Sequence, residues 1–376
     1  MTKIGCPKES KAQEHRVGLT PESVATLTGA GHEVWIEHQA GLGIGCDDQG
    51  YADAGANIAG DLDEVFARAD LIVKVKEPSA VERQKLEARH TLFTYLHLAS
   101  DPEQTHDLIA SEAVCIAYET VTDDAGLLPL LTPMSAIAGR LAVQEAVIHL
   151  EKHHGGLGVL LSGAPGVASE SVVIIGGGVV GSNAARIALG LGGEVTVLDR
   201  SQNKLEELNT RFNGKVHCEL STPESIEKHV MSAALVVGAV LIPGGRADYV
   251  ISSDLVKKMR PGSVIADVAI DQGGCCENSR PTTHDDPTFI KDGVIHYCVA
   301  NIPGAVPLTS SKALNNVTLP FIQALADKGA RAAMAADAHL LNGLNVCRGR
   351  LTHPEVADDL GLEYTSPDAA LELIQA

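Results

Sequence analysis

The chain has no uninterrupted apolar run of the roughly 18 residues that a membrane span needs, and its opening, MTKIGCPKES, has no apolar signal-like core. Both absences argue against a span and a secretory signal, so a cytoplasmic protein is expected. Positive charge is also scarce: 29 Lys and Arg stand against 48 Asp and Glu, a formal charge of −19. Nucleic acid and anionic membranes are thereby excluded as partners, because their phosphates would be repelled. Any anionic substrate has to be met by cations placed locally. The eight cysteines include no C-x-x-C pair, and the adjacent Cys275 and Cys276 fit no metal or redox spacing, so reduced, buried thiols are expected and no metal ligand is assigned. There is no internal repeat and no low-complexity tract. What is left is an ordinary globular composition, 45% hydrophobic and 20% charged. At 376 residues the chain exceeds what one hydrophobic core usually serves, which points to two domains.

The most informative stretch is VVIIGGGVVGSNAARIALGLGGEVTVLD, Val172 to Asp199. A β-branched run, Val172 to Ile175, leads into Gly176, Gly177, Gly178 and Gly181 in G-x-G-x-x-G spacing, and then into a helix-like segment, Ser182 to Leu191. Gly176 permits a tight turn, Gly178 permits backbone approach to a pyrophosphate, and Gly181 permits close packing of helix on strand. The helix N-terminus supplies free N–H groups and a positive dipole end to the phosphates. A second strand, Val195 to Leu198, ends in Asp199, about 20 residues beyond the glycines, where an acid can accept hydrogen bonds from a ribose. Alone the glycines would be a weak signal; with strand, helix and acid in place they point to a dinucleotide. Asp199 disfavours a 2′-phosphate, hence NAD over NADP, while the neighbouring Arg200 pulls the other way.

Upstream, Lys3 to Cys6, Glu33 to Glu37, Leu71 to Val75, Leu92 to Leu96 and Val114 to Tyr118 read as strands, alternating with helical stretches such as one capped by Thr20 with Pro21 at its first position. That is βαβ patterning and a parallel sheet. In such sheets ligands sit beyond the carboxyl ends of the strands. Those ends carry Lys76, His97, Glu119 and the loop with Arg16, a set that suits a small carboxylate or oxo acid. Taken singly, a lysine there is ordinarily solvated and a histidine between Leu96 and Leu98 is ordinarily a core residue. Alternation puts Lys74 and Lys76 on one face and does not choose between them.

Thr132, Pro133 and the run Ser135 to Lys152 read as a long helix bridging two domains, and Gly155 to Gly166 as a turn or hairpin. Beyond Asp199, strands are expected at Lys215 to Glu219, Leu235 to Val240, Val264 to Val268 and Val294 to Val299, completing a doubly wound sheet. Pro243, Gly244 and Gly245 mark a loop that approaches a ligand, and Asp271 and Asn301 lie just past strands, where their ordinary alternative is a turn-forming role. From Leu308 the chain is helical again, with a kink expected at Pro320, and should return to the first domain. The expectation is α/β, two doubly wound Rossmann-like domains with an interdomain cleft, linked by long helices. Residues 1–130 with 306–376 would form a discontinuous substrate domain and 131–305 the NAD-binding domain.

With GCPKESKAQEHRVGLTP, VKVKEP, LFTYLHLA, AYETV, LLTPMSAIAGRLAVQ, GGGVVG, DVAIDQGGCCENSRPTTHDDPTF and VANIPGAVPLTSSKALNN in view, the sequence resembles the alanine dehydrogenase family over nearly its full length, least after Pro354. The resemblance implies a hexamer of identical chains and reversible NAD-dependent oxidative deamination of L-alanine to pyruvate and ammonia. It implies that Arg16 grips the substrate carboxylate and that Lys76 holds the carbonyl or carbinolamine oxygen. His97 would be the general acid/base, and Asp271 would position water or ammonia and counter the iminium charge. For the cofactor it implies Ser135, Val179, Val180, Asp199, Lys204, Ser221, Val240, Leu241, Arg280, the segment Val268, Ala269, Ile270 and Asp271, and the segment Val299, Ala300, Asn301 and Ile302, beside the glycines.

Two other readings share this fold. An NAD-binding transhydrogenase-like subunit passes hydride between cofactors, and such chains usually continue into membrane segments, of which this one has none. A non-catalytic NAD-binding protein is the second; the joint presence of Arg16, Lys76, His97 and Asp271 argues against it, as fold alone would not. An amino-acid dehydrogenase with a larger substrate finds no support in the sequence.

Overall fold

The protein is described from a computed structural model covering residues 1–240 and 249–374. It divides into two compact units, Met1–Pro133 with Val306–Ala376, and Met134–Ala305. In chain order the strands are β1 (Lys3–Cys6), β2 (Glu33–Glu37), β3 (Asn57–Ala59), β4 (Leu71–Val73), β5 (Thr91–Thr94), β6 (Val114–Ala117), β7 (Ser171–Ile175), β8 (Glu194–Asp199), β9 (His217–Leu220), β10 (Leu235–Gly238), β11 (Val264–Asp267), β12 (Thr288–Lys291), β13 (Val294–Tyr297), β14 (Leu344–Cys347) and β15 (Arg350–Leu351).

In the first unit the sheet order is β15-β14-β6-β5-β4-β1-β2-β3. Strands β1 to β6 pair in parallel, Ile4 opposite both Val34 and Leu71. Connections run outward from β1 in one direction and from β4 in the other, so the strand order reverses between β1 and β4. The second unit repeats the plan as β12-β13-β11-β10-β7-β8-β9, reversing between β7 and β10, with Ile175 opposite both Leu198 and Gly238. Central strands such as Val114–Ala117 and Val264–Asp267 are buried at every position, as expected where helices cover both faces of a parallel sheet. In this architecture the crevice for a ligand opens at the carboxyl ends beside each reversal.

Helix starts follow the local chemistry. Thr20 accepts from Ser23 N ahead of Pro21–Gly29, Asp61 from Glu64 N ahead of Leu62–Arg68, and Asp101 from Gln104 N ahead of Pro102–Ala110. The long helix spans Thr132–Ile148 and stops short of Lys152, because the chain tightens into three-residue bonds at His149 and Leu150 and turns through Gly155 at φ +87. Helix Pro307–Lys328 runs as one element with Pro320 inside it. Several strands end earlier than the apolar runs suggest: β4 at Val73, β10 at Gly238, β13 at Tyr297.

Neither sheet is purely parallel. β12 pairs antiparallel with β13 through Asp292–Gly293, and β14 with β15 through Arg348–Gly349, both turns having positive φ at both central residues. An Asp-Gly turn is a legible hairpin signal; the Arg-Gly turn is much less so. β14 also pairs antiparallel with β6, which ties the second segment of the first unit to its sheet.

His296, on β13, is fully buried, stacks on Phe289 at 5.0 Å, and has no hydrogen-bond partner for either ring nitrogen among the described residues. Burial pushes its pKa from 6.5 down to about 4. The unfolded chain therefore binds a proton that the folded chain refuses between those values, so this contribution is intact above the unfolded pKa and is lost as pH falls through the window. His296→Phe is expected to remove on the order of 3 kcal/mol of the stability difference between pH 7 and the acid end of that window. Urea unfolding at both pH values checks this, and an unchanged pH slope in the variant would contradict it.

Candidate functional site

In the first unit the crevice is built on carboxylates that hold backbone. After β1 the chain loops back to Arg16, which is buried, with Nε 2.7 Å from Glu14 Oε1 and Nη2 2.5 Å from Glu14 Oε2. Burial alone would weaken this cation, but the Glu14 hydrogen bonds and charge outweigh it and raise its pKa. Glu14 thus fixes the plane of the guanidinium. The loop is secured from far along the sequence: Ser311 and Asn315 of helix Pro307–Lys328 accept from Val17 N and Thr20 N, each at 3.0 Å.

The two lysines that alternation leaves equal have different fates, because β4 ends at Val73 and the pleat does not extend to them. Lys74 is fully buried, 3.2 Å from Glu9 and 2.6 Å from Glu82. Burial opposes its charge, but the two carboxylates more than offset this and raise its pKa. Glu9 Oε1 in turn accepts Val75 N at 2.7 Å and Lys76 N at 3.4 Å. Glu82 also closes a capping box with Ser79. The buried cation therefore pins the turn on which Lys76 sits. Lys76 itself is half-buried, its Nζ 3.7 Å from Glu77.

His97 is not a core histidine. Its side chain is 45% exposed, while Leu96 and Leu98 on either side are buried. It adopts a left-handed backbone, φ 50, and Glu119 holds that turn by accepting Leu96 N at 3.0 Å and His97 N at 2.5 Å. The His97 Nδ1 lies 3.7 Å from the same carboxylate, and its ring stacks parallel to Tyr95 at 5.8 Å. Tyr95 is fixed by its hydroxyl on Leu130 O and lies within the field of Arg16. Tyr95 N donates to Val75 O and Thr94 Oγ1 to Lys76 O. Arg16, Lys76 and His97 thus follow three adjacent strands, β1, β4 and β5, at the same end of the sheet. Glu9, Glu14 and Tyr95 were not singled out from the sequence: the acids lie in a polar loop that looks solvated, and the tyrosine reads as one of five residues in an apolar run.

In the second unit Gly176 has φ +102, and a Cβ there would lie 2.4 Å from Ala239 O, where β10 ends beside β7. A Cβ on Gly181 would fall 1.8 Å from Gly176 O, so the third glycine is pressed first against the turn itself and only then against the strand. Gly178 caps helix Val179–Gly190 with no side-chain hydrogen bond and faces open space. Val179 is exposed and Val180 half-buried. The first turn of that helix accordingly presents N–H groups that no capping side chain satisfies. Asp199 Oδ2 accepts Gly177 N at 2.6 Å and Oδ1 accepts Ser201 N at 2.8 Å, while each oxygen keeps a second lone pair. Ser221, after β9, donates its N–H to Asp199 O, and Lys204 pairs with Glu207. Ser135 lies one helical turn before Gly139, whose added Cβ would meet Val180 O at 2.1 Å; that close approach seats the long helix against the glycine turn. Nothing in the spacing around Gly139 announced it.

At the end of β11, Asp267 is fully buried and accepts from Ala269 N, Cys275 N, Cys276 N and Ser279 Oγ, the last at 2.6 Å. It holds the turn Val268–Gln272, on which Val268 and Ala269 are half-buried, Ile270 is buried and Asp271 is exposed. Arg280 lies over the Phe289 ring at 4.3 Å. Val299 bridges to Thr282, and Ala300 N bonds to Thr282 O. Asn301 sits at φ 64 with its carbonyl on His284, and the buried Ile302 starts a short turn. Val240 is half-buried; Leu241 and the Pro243–Gly245 stretch lie outside the described residues. No helix among the described residues is long and apolar enough to cross a membrane.

Family models described as alanine dehydrogenase/PNT match residues 5–138 for the N-terminal domain and 142–354 for the C-terminal domain. Alanine dehydrogenase of Halomonas elongata is 54% identical over 362 residues, 96% of this chain and 98% of that one. Alanine dehydrogenase of Mycobacterium tuberculosis is 48% identical over 369 residues, 98% and 100% of the two chains. A solved L-alanine dehydrogenase superposes with a TM-score of 0.92 at 50% identity, covering 96% of this chain and 99% of that one. A transhydrogenase from Sinorhizobium meliloti, at 23% identity and TM-score 0.80 over 94% and 99% of the chains, shares the fold.

Replacing Lys74 with Met strands two buried carboxylates and is expected to cost about 3–5 kcal/mol. Urea unfolding of the variant checks this, and wild-type stability would show that Glu9 and Glu82 do not need the cation.

Proposed function

The chain belongs to the alanine dehydrogenase/PNT family, and on that premise we propose that it is an NAD-dependent L-alanine dehydrogenase. It interconverts L-alanine, water and NAD+ with pyruvate, ammonium, NADH and a proton. The observation that carries this reading is the convergence of Arg16, Lys76 and His97 on adjacent strand ends beside the reversal of the first sheet, each held by a carboxylate or a tyrosine. We assign the substrate to that unit and the dinucleotide to the Met134–Ala305 unit.

The second unit's residues fit such a cofactor: the positive φ at Gly176, the open space at Gly178 and the side-chain-free helix start leave room and N–H donors for a pyrophosphate. Gly176, Gly178, Gly181, Val179 and Val180 would hold it there, with Asp199 on the ribose. Ser135, Lys204, Ser221, Val240, Leu241, Arg280 and the turns at residues 268–271 and 299–302 would hold the remainder. When bound, the cofactor supplies a nicotinamide C4 that accepts the hydride from the substrate Cα.

The chain's own groups do the rest. Arg16, with its plane set by Glu14, grips the carboxylate of alanine or pyruvate bidentately. Lys76 hydrogen-bonds the oxygen at C2, carbonyl or carbinolamine. His97 takes the proton from the water that adds to the imine carbon and returns it to the departing ammonia, and in the reverse direction the roles exchange. Asp271, on the exposed turn of its own unit, is assigned to position water or ammonia and to counter the iminium charge. The side-chain acceptor at Asp199 favours NAD over NADP. Eight unpaired cysteines fit a reducing, cytoplasmic setting, and the family relationship supports a homohexamer, which light scattering on the purified protein can test.

A substrate panel followed at the NADH absorbance band tests the activity: alanine with NAD is expected to outrun glycine, serine and branched amino acids. Transfer only between two cofactors, with no response to alanine, would favour the transhydrogenase-like alternative. His97→Ala is expected to lower turnover roughly 10²-fold or more, with NAD binding retained; a variant that loses NAD affinity at unchanged turnover per bound cofactor would remove His97 from the chemistry. Asp199→Gly is expected to relax discrimination against NADP, and an unchanged NAD to NADP ratio would overturn that assignment.

A further inference from the structure

A cluster with no part in the proposed chemistry lies on β9, the edge strand of the second sheet. His217 and Glu219 are two residues apart, so their side chains leave the same face of the strand. The following helix, Pro223–Val230, carries His229 in its last turn. His217 Nε2 is 3.1 Å and His229 Nε2 2.7 Å from the same oxygen, Glu219 Oε2, and the Lys228 ammonium reaches that oxygen at 3.3 Å. Three donors thus crowd one carboxylate oxygen. Hydrogen bonds from His229 and then His217 hold the Glu219 carboxyl down at about 2, so it is ionised.

We propose that His217, Glu219 and His229 form a binding site for a divalent ion of the zinc class, two imidazoles and one carboxylate with water completing the shell. The three ligand atoms already lie within 4.8 Å of one another. At metal–ligand distances near 2.1 Å, tetrahedral ligands stand about 3.4 Å apart, so the two contacts to Glu219, at 2.7 and 3.1 Å, open by a few tenths of an ångström and the exposed His217 ring can adjust to face the ion. Two nitrogens and an oxygen suit zinc, nickel or cobalt, whereas magnesium and calcium ask for oxygens alone. The ion binds the two Nε2 atoms while each neutral ring carries its proton on Nδ1, and Lys228, largely solvent-exposed, swings away. Loading clamps the edge strand to its helix. The site is not legible in the sequence, because its ligands are spaced by two and by ten residues and match no cysteine-based pattern.

The test is isothermal titration of the full chain with Zn2+ and with Ni2+, together with melting curves. One ion per chain is expected, with a rise in melting temperature. His217→Ala and His229→Ala are each expected to weaken binding by about 100-fold or more, since a lost ligand should exceed the 10–100-fold typical of an outer partner. His217 is the safer variant for folding, its side chain being 59% exposed. The double variant His153→Ala, His154→Ala, in the other exposed histidine cluster, is expected to keep the site intact. Failure of the wild-type chain to take up either ion, or wild-type affinity in both single variants, overturns the proposal.

Discussion

The buried contact between Lys74 and its two carboxylates governs more of this molecule than its size suggests. A cation stripped of water is tolerated only where counter-charges meet it closely, and here Glu9 and Glu82 come from opposite flanks of β4. Because Glu9 spends its other oxygen on Val75 N and Lys76 N, the ion pair becomes a backbone restraint. The end of β4 is fixed from the inside, and with it the turn that carries Lys76.

The same device recurs around both crevices. Glu119 holds the left-handed turn at His97, Asp199 the glycine turn, and Asp267 the turn leading to Asp271. A strand that ends leaves N–H groups without ladder partners, and a carboxylate satisfies two or three of them at once. In each case the acid fixes the backbone of the turn at the strand's end. The two units reach this solution with unrelated loop sequences on the same strand plan.

Much of this was legible in the sequence. The parallel strands, the capped helices and the strand–glycine–helix unit are local patterns with local causes, and the strand-end positions of Arg16, Lys76, His97 and Asp271 follow from them. The choice between Lys74 and Lys76 was not legible, because it depends on where β4 stops and on a glutamate 65 residues away. Nor was the exposure of His97, which two buried leucines disguise; only the φ of its backbone turns it outward. The antiparallel edges differ in how legible they are: β12 is announced by an Asp-Gly turn, whereas β14 finds its place through pairing with β6, more than two hundred residues earlier in the chain.

The guanidinium of Arg16 lost its hydration when the chain folded, and Glu14 already lies along one of its edges. A carboxylate arriving there has only its own water to shed, which lowers the reorganisation that recognition of a small acid requires. On the proposed assignment, uncharged mimics would be disfavoured, because an amide is a weaker acceptor than a carboxylate for a guanidinium that water no longer reaches. Selection between an acid and its neutral analogue would then rest on solvation rather than on shape.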